Sequence, residues 1–166
     1  MDDAIVDAVR DLHARYTDAV WRKDFPAFGA CFTRDAEWRI GGLELRGRDR
    51  ITAAFEQIMA NFRKVLITFQ TPIVNAAGDR PSARTYVGEQ VSRSDGNTNI
   101  SIGRYYEYFA WEDGRWRFQW RLFQLHYSGP PDLSGRHYEW DDYGAPPGMP
   151  PLDAPSGAFA AEKWNM

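Results

Sequence analysis

The chain has 166 residues, a formal net charge of −3 and one cysteine, Cys31. This length favours a single domain with its own core, and one cysteine excludes an intramolecular disulfide framework and a cysteine-rich zinc site. The acidic charge argues against a nucleic-acid partner, while the absence of a signal-peptide pattern and of a membrane-spanning apolar run predicts a cytoplasmic protein without membrane contact.

The first 60 residues predict three helices and a hairpin. Apolar residues recur at helical spacing between residues 2 and 22, which predicts an amphipathic first helix. The stretch "KDFPAFGACF" predicts a short second helix, with Asp24 as its cap and Pro26 in its first turn. Two short strands are expected in "AEWRIGGLELRG", around a Gly41-Gly42 turn, and a third helix in "RDRITAAFEQIMANF".

The pattern then changes to alternation, which is typical of strands. Four long runs, "KVLITFQTPIVN", "SARTYVGEQVSR", "NISIGRYYEYFAW" and "RWRFQWRLFQLHY", are separated by turn-type sequences, two of which contain Asp-Gly. Helices followed by long strands indicate an α+β fold. We expect residues 1–127 to form one domain, a cone in which a curved, mostly antiparallel sheet wraps around the three helices and leaves a pocket at its open end.

Residues 128–166 hold seven of the ten prolines and follow neither periodicity. They also keep five large aromatic residues, and disordered segments are poor in such residues. We therefore expect an ordered arm that packs on the same domain through Tyr138, Trp140, Tyr143, Phe159 and Trp164.

Several stretches in series resemble the SnoaL-like proteins of the nuclear transport factor 2 (NTF2-like) superfamily: "RYTDAVWRKDF", "CFTRDAEWRI", "LRGRDRITAAF", "GDRPSARTYV" and "GRYYEYFAWEDGRWRF". The resemblance covers residues 1–127 and implies the cone fold. It implies no single activity, because one fold hosts many functions. Members include polyketide cyclases, scytalone dehydratase, lindane dehydrochlorinase, steroid isomerases, limonene epoxide hydrolase, lignin-dimer γ-formaldehyde lyases and noncatalytic dioxygenase β subunits.

The dehydratase and dehydrochlorinase members use an Asp–His dyad, and the resemblance places its two positions at Trp21 and near Ile67. Neither position carries a carboxylate or an imidazole in this chain. Proton abstraction by that dyad is therefore excluded if the alignment holds, which argues against a close copy of either enzyme.

A different candidate site follows from strand alternation. Trp116, Trp120, Gln124 and His126 share one face of the last strand, and its large rings assign that face to the interior. On the neighbouring strand Tyr105 and Glu107 point inward by the same reasoning, while Arg104, Tyr106 and Tyr108 point outward. A bulge in the last strand would reverse the assignment.

This candidate cluster could perform acid–base chemistry. His126 would be the acid or base, Glu107 would fix its tautomer, and Tyr105 would donate to a developing oxyanion. If the faces are reversed, Arg104 could bind a phenolate or carboxylate instead. The alternative is that His126 is a satisfied strand-end residue and Glu107 is solvated or paired with a strand arginine.

Other aromatic residues are predicted to bind the substrate, since 15% of the chain is aromatic. Tyr16 and Trp38 either line the cavity or pack in the core, and Trp21 would form an apolar wall. Trp120 and Gln124 are predicted to contact the substrate from the last strand. His13 is assigned to the polar surface of the first helix. No metal-ligand spacing, phosphate-binding glycine loop or nucleophile elbow is found, so we expect neither a metal nor a cofactor.

Two functions follow from different classes. The first is a cofactor-independent lyase, dehydratase or isomerase that acts on a hydrophobic aromatic small molecule, with the lignin-dimer lyases as the best analogy. The second is a noncatalytic ligand-binding or dioxygenase-β-like subunit, which the missing dyad favours. We also expect a homodimer or higher homo-oligomer through the outer sheet face, which would present Tyr106, Tyr108, Arg117 and Arg121.

Overall fold

A computed structural model describes residues 2–78 and 80–157 of the chain. The three predicted helices are confirmed as α1 (Asp2–Arg22), α2 (Phe25–Gly29) and α3 (Arg48–Met59). Asp24 caps α2 as predicted, because its Oδ1 accepts a hydrogen bond from the Ala27 N–H at 2.9 Å, and Pro26 lies in the first turn.

The strands form one curved sheet in which, over the described residues, all but one of the pairings are antiparallel. The strands are β1 (Phe32–Ile40), β2 (Leu43–Arg46), β3 (Phe62–Phe69), β4 (Ile73–Asn75), β5 (Ser82–Arg93), β6 (Thr98–Glu112), β7 (Arg115–Gly129) and β8 (Arg136–His137). Their order is β2-β1-β7-β6-β5-β3, with β4 added to β5 and β8 to β7, and only β1 runs parallel to its neighbour β7. The predicted α+β cone is therefore confirmed.

The sheet wraps around α1 and the helical pair α2–α3. Helix α1 presents Val9, Leu12 and Tyr16 to the concave face of the sheet, and all three are buried. At the closed end of the cone the Phe28 and Phe55 rings stack with centroids 3.7 Å apart, which fixes α2 against α3. This packing fills one end of the cone with side chains and leaves the other end open.

Strand β7 departs from simple alternation at two bulges. Tyr108 and Phe109 of β6 pair with Trp120 and Phe118, so Gln119 has no partner across the ladder. Further along, Ile102 and Gly103 pair with Tyr127 and Leu125, which leaves His126 unpaired in the same way. Each extra residue reverses the faces that follow it. Arg121, Phe123 and Leu125 therefore point inward, and Trp120, Leu122 and Gln124 point outward.

The C-terminal arm covers part of the convex face of the sheet. The Trp140 indole N–H donates to the Leu125 carbonyl at 2.6 Å, and the Tyr143 ring meets the Tyr106 ring edge-on at 5.6 Å. Ala154 is buried in the same small cluster, together with Trp120 and Leu122. Phe159 and Trp164, two of the aromatic residues on which the predicted packing of the arm rested, lie outside the described residues.

The arm and the first bulge contradict the predicted composition of the outer face. Tyr106 is completely buried beneath the arm, and Arg121 lies inside the cone. Arg117 is also buried, and its guanidinium donates a hydrogen bond to the Ala30 carbonyl. These three residues are therefore not available at an outer surface, and only Tyr108 remains partly accessible there.

Candidate active site

A cavity of about 290 Å³ occupies the open end of the cone. Its walls are mostly apolar and include Ile67, Val87, Phe123 and Leu125. Its polar lining comes mainly from the β5–β6 hairpin and the end of β7, through Arg93, Asn97, Thr98, Asn99, Ser101 and Ser128. An apolar pocket with a few placed polar groups is the usual form of a small-molecule site, and this volume lies at the lower end of the range.

Glu89 is a carboxylate that lines this cavity. It lies on β5 between Val87 and Val91, and alternation points all three side chains to the concave face. Burial among these apolar neighbours raises the pKa of Glu89 from 4.5 to about 7. A carboxyl group with that pKa exchanges its proton near neutral pH, so it can act as either acid or base.

Tyr105 lines the same cavity from β6, as its predicted inward orientation requires. Burial raises its pKa well above 10, and the nearby Tyr16 and Glu89 raise it further, whereas Arg121 and the Trp38 indole lower it. The phenol is therefore neutral at physiological pH and is a hydrogen-bond donor. Phe123 packs beside it, with ring centroids 5.1 Å apart.

Glu107 also points inward, but its partner is His13 rather than His126. The His13 Nε2 lies 2.9 Å from Glu107 Oε2, and Thr85 Oγ1 donates to the same oxygen at 3.0 Å. His13 is only 4% exposed, so the prediction that it lies on the surface is wrong. Burial raises the pKa of Glu107, but His13 and Arg121 lower it more, and the net pKa lies below the usual value.

Arg121 completes this buried cluster from β7. Its Nε donates to Glu107 Oε1 at 2.9 Å, and its Nη2 lies 2.8 Å from the same oxygen. The guanidinium carbon lies 3.7 Å from the centre of the Tyr105 ring and 4.5 Å from that of Tyr16. The cluster thus adjoins the cavity through Tyr105 without lining it.

His126, Gln124, Trp120 and Arg104 lie away from the cavity. His126 is partly buried beside Arg104, and its backbone carbonyl accepts the Tyr138 N–H of the arm at 2.9 Å. Arg104 donates to Gln124 Oε1 at 2.8 Å on the convex face, where Trp120 packs against the arm. The predicted inward orientation of His126, Gln124 and Trp120 is wrong because the bulges on β7 reverse its alternation. Desolvation and Arg104 lower the pKa of His126, while Glu139 raises it.

The remaining predicted substrate contacts lie behind or outside the first layer of the cavity. Tyr16 and Trp38 are both buried in the core, where they are neighbours of Tyr105. Trp21 is 49% exposed at the edge of the sheet and does not line the cavity. Ile67, near which the resemblance places the other dyad residue, is part of the cavity wall.

The two most informative residues that sequence reasoning missed had detectable signals. Glu89 interrupts an alternating apolar face between Val87 and Val91, which places a carboxyl group among core positions. His13 follows Val9 by four residues and precedes Tyr16 by three, so helical spacing assigns it to the buried face. Arg121 could be found only by locating the bulge at Gln119, for which alternation contains no signal.

Within residues 2–78 and 80–157 no group of three or more His, Cys, Asp or Glu side chains is arranged to hold a metal ion. In the same part of the chain, no helix combines the length and hydropathy needed to cross a lipid bilayer.

The sequence profile of the SnoaL-like domain matches residues 4–121. The chain therefore belongs to the SnoaL-like family of the nuclear transport factor 2 superfamily, as its motifs predicted. No curated protein sequence matches it.

Solved structures share the fold. A candidate scytalone dehydratase from Novosphingobium aromaticivorans is 17% identical with a TM-score of 0.71, covering 82% of this chain and 90% of its own. A type 2 hexachlorocyclohexane dehydrochlorinase is 20% identical with a TM-score of 0.70, covering 88% and 96%. A candidate aromatic ring hydroxylase from N. aromaticivorans is 25% identical with a TM-score of 0.68, covering 72% and 87%. Because the first two structures are only 17% and 20% identical to this chain, their similarity to it shows the fold alone.

Proposed function

We propose that this protein is a cofactor-independent lyase or dehydratase that acts on a hydrophobic aromatic small molecule by acid–base catalysis. The observation that carries the proposal is Glu89, a carboxyl group with a pKa near 7 inside an apolar cavity that it shares with the neutral phenol of Tyr105. Two groups with different protonation states at neutral pH are the minimum that a dehydration or a related elimination needs.

The geometry supports a division of roles between these groups. The Glu89 carboxylate would remove a proton from the substrate, and the electron pair released would form the new double bond as the leaving group departs. The Tyr105 hydroxyl would donate a hydrogen bond to the oxygen on which negative charge develops. Protonated Glu89 would then return its proton to the departing hydroxide, so that water is released and no oxidant or reductant is required.

The cavity walls favour an aromatic substrate. Phe62 and Phe123 line the cavity, and its polar groups are gathered largely at the hairpin side. A planar ring can lie among the apolar side chains while a hydroxyl or carbonyl group reaches Glu89 and Tyr105. Loss of formaldehyde from an aryl-propane unit of a lignin dimer is the narrower form of the proposal. Glu89 would take the proton of the γ-hydroxyl, and the Cβ–Cγ bond would break to release formaldehyde. The electron pair of that bond would form the Cα=Cβ double bond as the α-hydroxide leaves and takes up the proton from Glu89 to give water. An isomerisation would use the same two groups.

The proposal is tested with the full chain and a panel of phenolic aryl-propane dimers, hydroxylated bicyclic ketones and steroids, with products identified by mass spectrometry. We expect loss of water or formaldehyde from at least one aromatic substrate. Glu89→Gln should lower turnover by about 10²-fold or more, the usual contribution of general acid–base catalysis. If Glu89 acts as the base, kcat/KM should rise with pH and level off above about pH 7.

The second candidate is a noncatalytic ligand-binding module. It is supported by the absence of acid–base residues at Trp21 and near Ile67, where the resemblance places the family dyad. Binding of several panel members without turnover of any, and equal affinity in Glu89→Gln, would favour this function over the enzyme.

A further inference from the structure

Three charged or ionisable side chains lie buried behind the cavity and take no direct part in the proposed reaction. Arg121 and Glu107 are completely buried, and His13 is nearly so. Glu107 accepts hydrogen bonds at both oxygens, from Arg121 Nε at 2.9 Å and from Thr85 Oγ1 at 3.0 Å, while His13 Nε2 adjoins Oε2 at 2.9 Å. The other ring nitrogen of His13, Nδ1, donates to the Val9 carbonyl at 2.8 Å, which fixes the orientation of the imidazole.

Fold stability gives little reason for this cluster. A buried ion pair recovers the cost of removing its charges from water only with very good geometry, and apolar side chains of similar volume commonly serve the fold equally well. The surroundings are otherwise aromatic, since the Arg121 guanidinium carbon lies 4.0 Å from the centre of the Phe118 ring. Keeping a full positive charge at this position therefore points to a role beyond packing.

The neighbour of this charge in the cavity wall is Tyr105. The Arg121 guanidinium carbon lies 3.7 Å from the centre of the Tyr105 ring, within the range of a cation–π contact. The contact holds the ring in place and also favours negative charge on its phenol oxygen, because opposite charges attract strongly where water is excluded.

We propose that Arg121, anchored by Glu107 and His13, is a positioning residue that holds Tyr105 in the cavity wall and stabilises negative charge on its phenol. This inference rests on the proposed function, in which Tyr105 is the hydrogen-bond donor to the substrate. Burial alone raises the pKa of Tyr105, and Arg121 opposes that effect, in agreement with the geometry. The cluster thus adjusts how readily Tyr105 shares its proton.

The test follows Tyr105 directly and needs no substrate. The full chain is labelled with 3,5-difluorotyrosine, whose two ring fluorines strongly lower the phenol pKa and so oppose the rise that burial causes at Tyr105. The Tyr105 resonance is assigned with Tyr105→Phe. Its titration is then followed by fluorine NMR. In the double variant Arg121→Met/Glu107→Gln, which removes both charges together, the Tyr105 pKa should rise by about one pH unit.

The single variant Glu107→Gln should move the Tyr105 pKa in the opposite direction, because Arg121 then acts on the phenol without a compensating carboxylate. It also keeps the proposal testable if the double variant does not fold. Arg104→Met is the matched control: Arg104 lies over the Tyr106 ring on the convex face, 5.1 Å from its centre, and its removal should leave the Tyr105 titration unchanged.

An unchanged Tyr105 titration in both folded variants would overturn the proposal, as would shifts of the same sign in both. Failure of the proposed function is separable, because it appears as the absence of turnover while the NMR shifts remain. Where a substrate is found, the double variant should lower kcat more than it changes KM and should move the alkaline limb of the pH profile upward.

Discussion

The indole Nε1 of Trp21 donates a hydrogen bond to the backbone carbonyl of Ile67 over 2.7 Å. The resemblance to the SnoaL-like family places the Asp–His dyad of the dehydratase and dehydrochlorinase members at Trp21 and near Ile67. The fold thus brings the two positions together, but the contact joins a neutral indole to a backbone oxygen and has no acid–base capacity. Glu89 is an ionisable group that lines the cavity, and its backbone pairs directly with Ile67 across β3 and β5.

Glu89→Gln should stabilise the folded protein at neutral and alkaline pH. Burial raises the pKa of Glu89 in the folded state to about 7, against 4.5 for an ordinary glutamate. Between these values the folded state binds more protons than the unfolded state, so wild-type stability falls as pH rises through this window. The free energy of unfolding of Glu89→Gln should exceed that of wild type by on the order of 2 kcal/mol above about pH 7, after allowance for solvent in the cavity.

This gain should disappear below about pH 4.5, where the carboxyl group is protonated in both states. Urea unfolding of both proteins between pH 4 and pH 8.5 measures the difference. Ser101→Ala alters the same cavity without a titratable group, and its difference from wild type should not depend on pH. A constant gap between Glu89→Gln and wild type across the range would contradict the assignment of a raised pKa.

His126→Gln should keep the wild-type fold and turnover. The β7 bulge places His126 beside Arg104 under the arm, away from the cavity, so the variant changes no group in contact with a bound substrate. Tyr105→Phe is the comparison within the cavity, and loss of a donor to a developing oxyanion should lower kcat by about 10²-fold. Steady-state kinetics on the same substrate decide between them, and a large loss in His126→Gln alone would return the catalytic role to the histidine.

Sequence reasoning succeeded where one periodicity governs an entire element. Spacing and cap chemistry predict helix α1 and the α2 cap at Asp24 correctly. Alternation also predicts that Tyr105 and Glu107 point inward, because β6 pairs with β5 without a register shift. The orientation of β7 could not be obtained in this way. The extra residue at Gln119 bends the strand and reverses the orientation of every side chain from Trp120 to Leu125. No particular residue type marks this bulge in the sequence.

The candidate site was misassigned for a related reason. Strand alternation predicted His126 as the histidine partner of Glu107. His126 lies 19 positions further along the chain, on the adjacent strand. The actual partner, His13, comes from α1 and is 94 positions away. These residues meet only because helix α1 crosses the sheet in the folded protein. A local sequence pattern cannot predict a contact between residues so far apart in the chain.

The arm should protect the end of β7 from exchange. Tyr138 N–H donates to the His126 carbonyl at 2.9 Å, and Tyr127 and Ser128 pair with His137 and Arg136. Hydrogen exchange of the full chain should show slow exchange at Tyr138, since a paired backbone amide exchanges only when the structure opens locally. Tyr143→Ala, which removes the ring packed on Tyr106, should speed that exchange, and rapid exchange at Tyr138 in the wild type would contradict arm docking.

The protein should be a homodimer that associates through the part of the convex sheet face not covered by the arm. Three large apolar side chains lie exposed there or at its edge: Trp21 at 49%, Ile102 at 39% and Tyr86 at 36%. Aromatic residues are enriched at interfaces, and an interface between two copies would remove these apolar side chains from water. Light scattering at micromolar concentration should give twice the chain mass of 19.1 kDa. Ile102→Glu should shift the mass toward the monomer, because it would bury a charge in the interface. Leu152→Glu, on the arm at a position that is 46% exposed against 39% for Ile102, should leave the dimer intact. A monomeric mass for the wild type, or equal dissociation in both variants, would exclude this interface.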